Sequence, residues 1–138
     1  MSVEIISSLD ELDLVYNYLK DNLEDSSIIF LNGNLASGKT TLTSYIVKNM
    51  GLSDSATSPT FSLQNSYDDK LFHYDLYRKS YDEFMEMGLF EEFEKSGWHI
   101  IEWGDEMLKE MLKGAGYEIT TIDITPIEDK RKYIIKRD

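Results

Sequence analysis

The chain has 138 residues, enough for one domain, residues 1–138, with a sizeable core. It contains no cysteine, which excludes disulfides, thiol catalysis and thiolate metal sites. Its 26 acidic and 14 basic residues give a formal charge of −12, which argues against broad binding to a nucleic-acid backbone.

A hydrophobic content of 41% and an aromatic content of 12% fit a folded globular protein. No apolar run reaches about 18 residues, so no membrane span is expected. The start, Met1-Ser2-Val3-Glu4, has no basic segment or apolar core, so no secretory leader is expected. The lack of cysteine permits a cytoplasmic location. Arginine is confined to Arg78, Arg131 and Arg137. The acidity reads most simply as solubility; the functional alternative is an acidic face that docks a basic partner.

In chain order, Val3 to Ile6 reads as a short first strand. Ser8 and Glu11 have capping-box spacing. Leu9, Leu12, Tyr16, Leu19 and Leu23 then fall on one helical face. Asp25-Ser26-Ser27 precedes an apolar run, Ile28 to Leu31, read as a buried strand. Thr41 to Met50 is helical in pattern, with Gly51 as its stop. Leu52 to Pro59 reads as a loop. Thr60 to Tyr67 and Leu71 to Asp75 read as strands joined by a turn at Asp68-Asp69-Lys70. Ser80 to Met87 and Leu89 to Lys95 read as helices separated by Gly88. Trp98 to Ile101 reads as a central strand. Asp105 to Lys113 reads as a helix, and Tyr117 to Thr125 with Lys130 to Lys136 as a closing hairpin. Interleaved strands and helices with two hairpins predict an α/β sheet of mixed direction.

Between the strand at Ile28 and the helix at Thr41 stands Gly33-Asn34-Leu35-Ala36-Ser37-Gly38-Lys39-Thr40. This is the phosphate-binding loop pattern G-x-x-x-x-G-K-T in its required strand–helix context. Glycines let the backbone close around an anion, and successive N–H groups form a nest. The helix start adds positive potential. Lys39 supplies a point charge for β- and γ-phosphates, and the Thr40 hydroxyl is a hard oxygen suited to Mg²⁺.

Ligands of open α/β sheets sit beyond the carboxyl ends of parallel strands. Glu102 and Asp75 each follow a predicted strand and fit that edge. Phosphoryl transfer needs a metal anchor and a group that orients water, one acid for each. A solvated acid at a strand end is the alternative for either. In Thr57-Ser58-Pro59-Thr60-Phe61, Thr60 reads either as a switch-like hydroxyl near the metal or as part of a rigid turn. His73 and His99 lie in apolar runs and read as core residues with one hydrogen bond each. Trp98 and Trp103 read as core or partly buried, with Trp103 alternatively shaping the site. Glu83, Glu86, Glu91, Glu92 and Glu94 read as a solvated face.

Four segments in series resemble the bacterial TsaE family, also called YjeE. They are Gly33 to Thr41, Thr57-Ser58-Pro59-Thr60-Phe61, His73-Tyr74-Asp75-Leu76-Tyr77-Arg78 and Ile101-Glu102-Trp103-Gly104-Asp105. The resemblance implies a cytosolic, P-loop NTPase-like three-layer α/β sandwich with a mixed, partly antiparallel sheet. It implies ATP and Mg²⁺ as cofactors. It further implies partnership with the TsaB–TsaD complex in threonylcarbamoyladenosine modification of tRNA, the tRNA being reached only through that complex. By motif position, the loop residues Gly33 to Thr41 hold phosphates, Thr40 and Glu102 bind Mg²⁺, and Asp75 acts on the attacking water or its metal shell. Thr60 is switch-like, and the segments near Ser7-Ser8 and Arg131 approach adenine. Family loops usually read G-x-L-G-A-G-K-T, so Asn34, Ala36 and Ser37 are departures. A small-metabolite kinase and a nucleotide-dependent binding switch with negligible hydrolysis are the alternatives. A GTPase is disfavoured, because no Asn-Lys-x-Asp segment occurs.

Overall fold

Two short runs, Ser27–Asn32 (β2) and Trp98–Glu102 (β5), are apolar at nearly every position, and both are buried on both faces of one sheet. In the computed structural model, residues 2–34, 38–53, 63–77 and 81–137 are described. The remaining strands are Ser2–Ser7 (β1), Gln64–Tyr67 (β3), Leu71–Asp75 (β4), Ile119–Ile127 (β6) and Lys130–Arg137 (β7). The sheet order is β1-β7-β6-β2-β5-β4-β3. The inner four strands, β6, β2, β5 and β4, run parallel, and β1, β7 and β3 join antiparallel at the sides. This is the mixed sheet that the pattern predicts.

Helices Asp13–Asn22 (α1) and Lys39–Asn49 (α2) cover one face through Leu12, Val15, Leu19, Leu42 and Ile46. The other face is covered by Tyr81–Glu86 (α3), the 3-10 segment Leu89–Glu94 and Glu106–Gly114 (α4), through Phe84, Leu89, Phe93, Leu108 and Leu112. The three layers are therefore helix, sheet, helix.

Several boundaries differ from the sequence reading. Glu11 does reach back to Ser8, accepting from its backbone N–H at 3.3 Å and its hydroxyl at 3.0 Å. The segment Leu9–Glu11 is a 3-10 turn, however, and its tighter winding puts Leu9 out of phase, so it is 53% exposed. The strand expected from Thr60 begins only at Gln64; Leu63 is in a turn and residues 54–62 lie outside the described set. Glu92, read as solvated, is buried and accepts from Lys95 Nζ at 2.8 Å and Gln64 Nε2 at 3.1 Å. The stop at Gly51 holds: it takes φ 72°, donates to Lys48 O, and Leu52 N donates to Val47 O, closing α2.

The amino-terminal ends of the parallel strands are tied together at Gly97. Its carbonyl accepts from Ser27 N at 3.2 Å, and the next residue, Trp98, donates to Lys70 O at 3.0 Å. Gly97 has φ 132°, and a Cβ there would stand 2.3 Å from the Lys70 carbonyl oxygen. No side chain fits without moving β4 against β5. Gly97→Ala should therefore lower stability by more than about 1 kcal/mol, whereas Gly114→Ala, in helix α4 with open space around it, should raise it by about 0.5–1 kcal/mol. Urea unfolding midpoints of the two variants check both signs.

Behind the sheet lies a buried polar chain. His99 Nε2 donates to Lys95 O at 2.8 Å, Nδ1 accepts from the Tyr74 hydroxyl at 2.8 Å, and Gln64 Nε2 donates to that hydroxyl at 3.2 Å. These bonds require the neutral Nε2–H tautomer. Burial, partly opposed by the bond to Lys95, holds the imidazole below its ordinary value. The unfolded chain then takes up this proton first. Stability from His99 is complete above about pH 6.5 and is lost as pH falls below that value. Proton NMR should give a His99 midpoint below about 6.5 in the folded protein; a midpoint above it contradicts the assignment.

Candidate functional site

Parallel register delivers three strand ends to one place. Leu31 and Asp75 both pair with Glu102, at the carboxyl ends of β2, β4 and β5. Beyond β2 the chain passes Gly33 and Asn34 and enters α2 at Lys39. Leu35, Ala36 and Ser37 lie outside the described residues, as do Thr60 and Arg78. The start of α2 points its free N–H groups and the positive end of its dipole at this edge.

Lys39 is only 4% exposed. Its Nζ donates to Gly33 O at 2.6 Å and Asn34 O at 3.1 Å, and sits 3.8 Å from the centroid of the Trp103 ring. Burial pushes its pKa below the ordinary lysine range, and the Glu102 and Asp75 carboxylates oppose that shift. Trp103 reaches the lysine because its φ is 62°, which turns the chain sharply after Glu102. The Tyr77 ring packs on Trp103 with centroids 5.0 Å apart. Trp103 is partly buried against the core, as the first of its sequence readings has it, and its ring also stands beside Lys39.

Glu102 is buried at 4% exposure. Its Oε1 and Oε2 lie 3.4 and 3.3 Å from Thr40 Oγ1. These are long for O–H···O bonds. They are near the spacing of neighbouring oxygens round a small octahedral cation, about 3 Å for metal–oxygen bonds of about 2.1 Å. Among the described residues no group of three or more His, Asp or Glu side chains forms a metal cage. A hydroxyl and one or two carboxylates beside a phosphate cradle is the donor set Mg²⁺ uses with nucleotides. The residues present therefore fit Mg²⁺. Asp75, at the end of β4, is exposed, and one of its oxygens accepts from Tyr77 N at 3.1 Å.

Of the other predicted residues, Gly38 caps α2 and accepts from Leu42 N at 3.0 Å. Thr41 lies exposed in the first turn. Arg131 comes in from β7: its Nε stands 3.5 Å from where a Cβ on Gly38 would lie. Ser7 is its partner in the β1–β7 register, so the two segments expected near the base lie side by side. A notch of about 210 Å³ beside Gly33 and Asn34 is lined by Asn32, Asp123 and Pro126. A larger hollow of about 330 Å³ opens at the opposite sheet edge, around Ser27, His99 and Ile119, far from these groups in the topology.

Sequence reasoning missed His73. It is buried and holds one hydrogen bond, as expected of a core histidine, but the bond joins Nε2 to Glu102 Oε2 at 2.5 Å. Strand periodicity carried the signal, since His73 stands two residues before Asp75 and shares its face. Asn32, whose Nδ2 donates to Asp123 Oδ1 at 3.0 Å, was also unread.

Comparison of the chain with known proteins points to one family. The family described as "Threonylcarbamoyl adenosine biosynthesis protein TsaE" matches residues 6–134. The tRNA threonylcarbamoyladenosine biosynthesis protein TsaE of Treponema pallidum is 36% identical over 92 residues, covering 64% of this chain and 68% of its own. That of Rickettsia felis is 36% identical over 113 residues, covering 78% and 65%. That of Bacillus subtilis is 32% identical over 114 residues, covering 75% and 72%. The chain thus spans about two thirds of the length of these relatives, from 65% to 72%. The crystal structure of Bacillus subtilis YdiB superposes with a TM-score of 0.67 over 98% of this chain and 84% of that one, at 22% identity, which establishes the shared fold. The chain belongs to the TsaE family of tRNA threonylcarbamoyladenosine biosynthesis proteins.

Proposed function

We propose that the chain binds and hydrolyses Mg-ATP at this edge, in the cytoplasm, to support the threonylcarbamoyladenosine modification of tRNA by the TsaB–TsaD complex. The observation that carries the reading is the convergence of Lys39, Thr40, Glu102 and Asp75 at the start of α2. An ammonium, helix N–H groups and hard oxygens suit a polyphosphate with its cation and little else.

In this reading Gly33 to Thr41 cradle the phosphates, and Lys39 leaves its two carbonyls for the β- and γ-phosphates. Thr40 and Glu102 hold Mg²⁺, which supplies charge neutralisation on the phosphate oxygens. Asp75, exposed beside Glu102, accepts a proton from the attacking water or orients it. Thr60, which lies outside the described residues, keeps the switch-like role that its motif position implies. Arg131, on the far side of β2 from Asp75, serves the nucleoside end of the ligand. A charge of −12 fits a protein that meets tRNA only through its partners.

The chain has three arginines, Arg78, Arg131 and Arg137, so positive charge for the transferred phosphoryl group is scarce. Phosphate release by the isolated chain should therefore be slow and should rise when TsaB–TsaD is added. Brisk release from the chain alone contradicts this. Asp75→Asn should keep ATP affinity within about threefold while lowering hydrolysis by about 100-fold or more. Lost affinity with an unchanged rate per bound ATP would show that Asp75 has a binding role instead.

A further inference from the structure

We propose that His73 is a positioning residue that makes Glu102 a one-oxygen ligand and so selects Mg²⁺ over Ca²⁺. This rests on the reading of the site as a Mg-nucleotide pocket.

Three observations support it. First, the His73 Nε2 to Glu102 Oε2 contact at 2.5 Å is buried, with the two side chains 9% and 5% exposed. An ionised carboxylate only accepts, so Nε2 carries the proton and Oε2 is occupied. Second, the other oxygen is left open. Thr40 Oγ1 stands at nearly the same long distance from both oxygens, 3.4 Å from Oε1 and 3.3 Å from Oε2, so among the described residues the imidazole is what sets the two apart. Third, the partnership is fixed by backbone. β4 and β5 are parallel neighbours in which His73 pairs with Ile100 and Asp75 with Glu102. That register sets the two side chains on one face of neighbouring strands, within reach of each other.

The consequence follows from the coordination habits of the two ions. Ca²⁺ takes six to eight oxygens and readily accepts both oxygens of one carboxylate; Mg²⁺ takes six in a tight octahedron and one from each carboxylate. A glutamate whose Oε2 already accepts from a fixed imidazole offers Oε1 as its better-placed oxygen, which biases it towards one-oxygen ligation. Partners of this kind, lying behind the ligand itself, typically change metal affinity by about 10–100-fold.

The test measures the affinity of the full chain for a non-hydrolysable ATP analogue by calorimetry, once with saturating Mg²⁺ and once with saturating Ca²⁺. The wild type should prefer Mg²⁺. His73→Leu should shrink the Mg²⁺-to-Ca²⁺ affinity ratio by about tenfold or more. His73→Gln, whose amide nitrogen reaches the position of Nε2, should restore it. An unchanged ratio in His73→Leu overturns the proposal. Absence of binding by the wild type with either ion would instead overturn the nucleotide-site reading beneath it. A second measurement needs no variant. In the wild type, the His73 Nε2–H proton resonance should persist when Mg²⁺ and the analogue are added. Its loss would mean that the ion takes both oxygens, and would overturn the proposal.

Discussion

Everything at the site follows from the parallel register of β2, β5 and β4. Parallel neighbours ending level place Leu31, Glu102 and Asp75 in one row. Side chains alternate along a strand, so Glu102, Asp75 and His73 all face the layer that contains α2. The close contact of Gly97 with Lys70 holds the register at the opposite ends of the strands. A slip of one residue would turn every one of these groups to the α3–α4 face. Precision at the carboxyl edge is therefore set some five residues away, where β4 and β5 begin.

The second constraint is electrostatic. Lys39 is almost wholly buried, and burial disfavours its charge. Two backbone carbonyls, an indole face and two nearby carboxylates offset that penalty. The same surroundings ready the group for use: it is held within one side-chain swing of the loop. A polyanion competes for it with neutral carbonyls, which are weaker partners than phosphate oxygens. Trp103 ties this lysine to Tyr77, and Tyr77 in turn bonds Asp75. The lysine and the exposed acid thus share one small cluster.

The sequence made the strand–loop–helix unit and the two acids legible, because each rests on a local rule. An apolar run, a glycine pattern and a capping residue carry their meaning within a few positions. Leu9 and Glu92 escaped for a common reason: 3-10 winding changes which residues face inward, and no periodicity in the chain distinguishes three residues per turn from 3.6 over so short a span. His73 escaped because a histidine in an apolar strand has the same local pattern whether its partner is a carbonyl, as for His99, or an acid from another strand. Only the β4–β5 register distinguishes them. Family resemblance alone puts Arg131 near the adenine, and its approach to Gly38 depends on a hairpin pairing about ninety residues away in sequence.

The most direct test of the central claim is calorimetry of ATP with the wild type, with Lys39→Ala and with Glu102→Gln, each in Mg²⁺ and in excess chelator. The account predicts tight binding by the wild type that weakens on chelation, binding abolished in Lys39→Ala, and binding in Glu102→Gln that no longer responds to Mg²⁺. Equal affinity in all three proteins, with and without the ion, would contradict it.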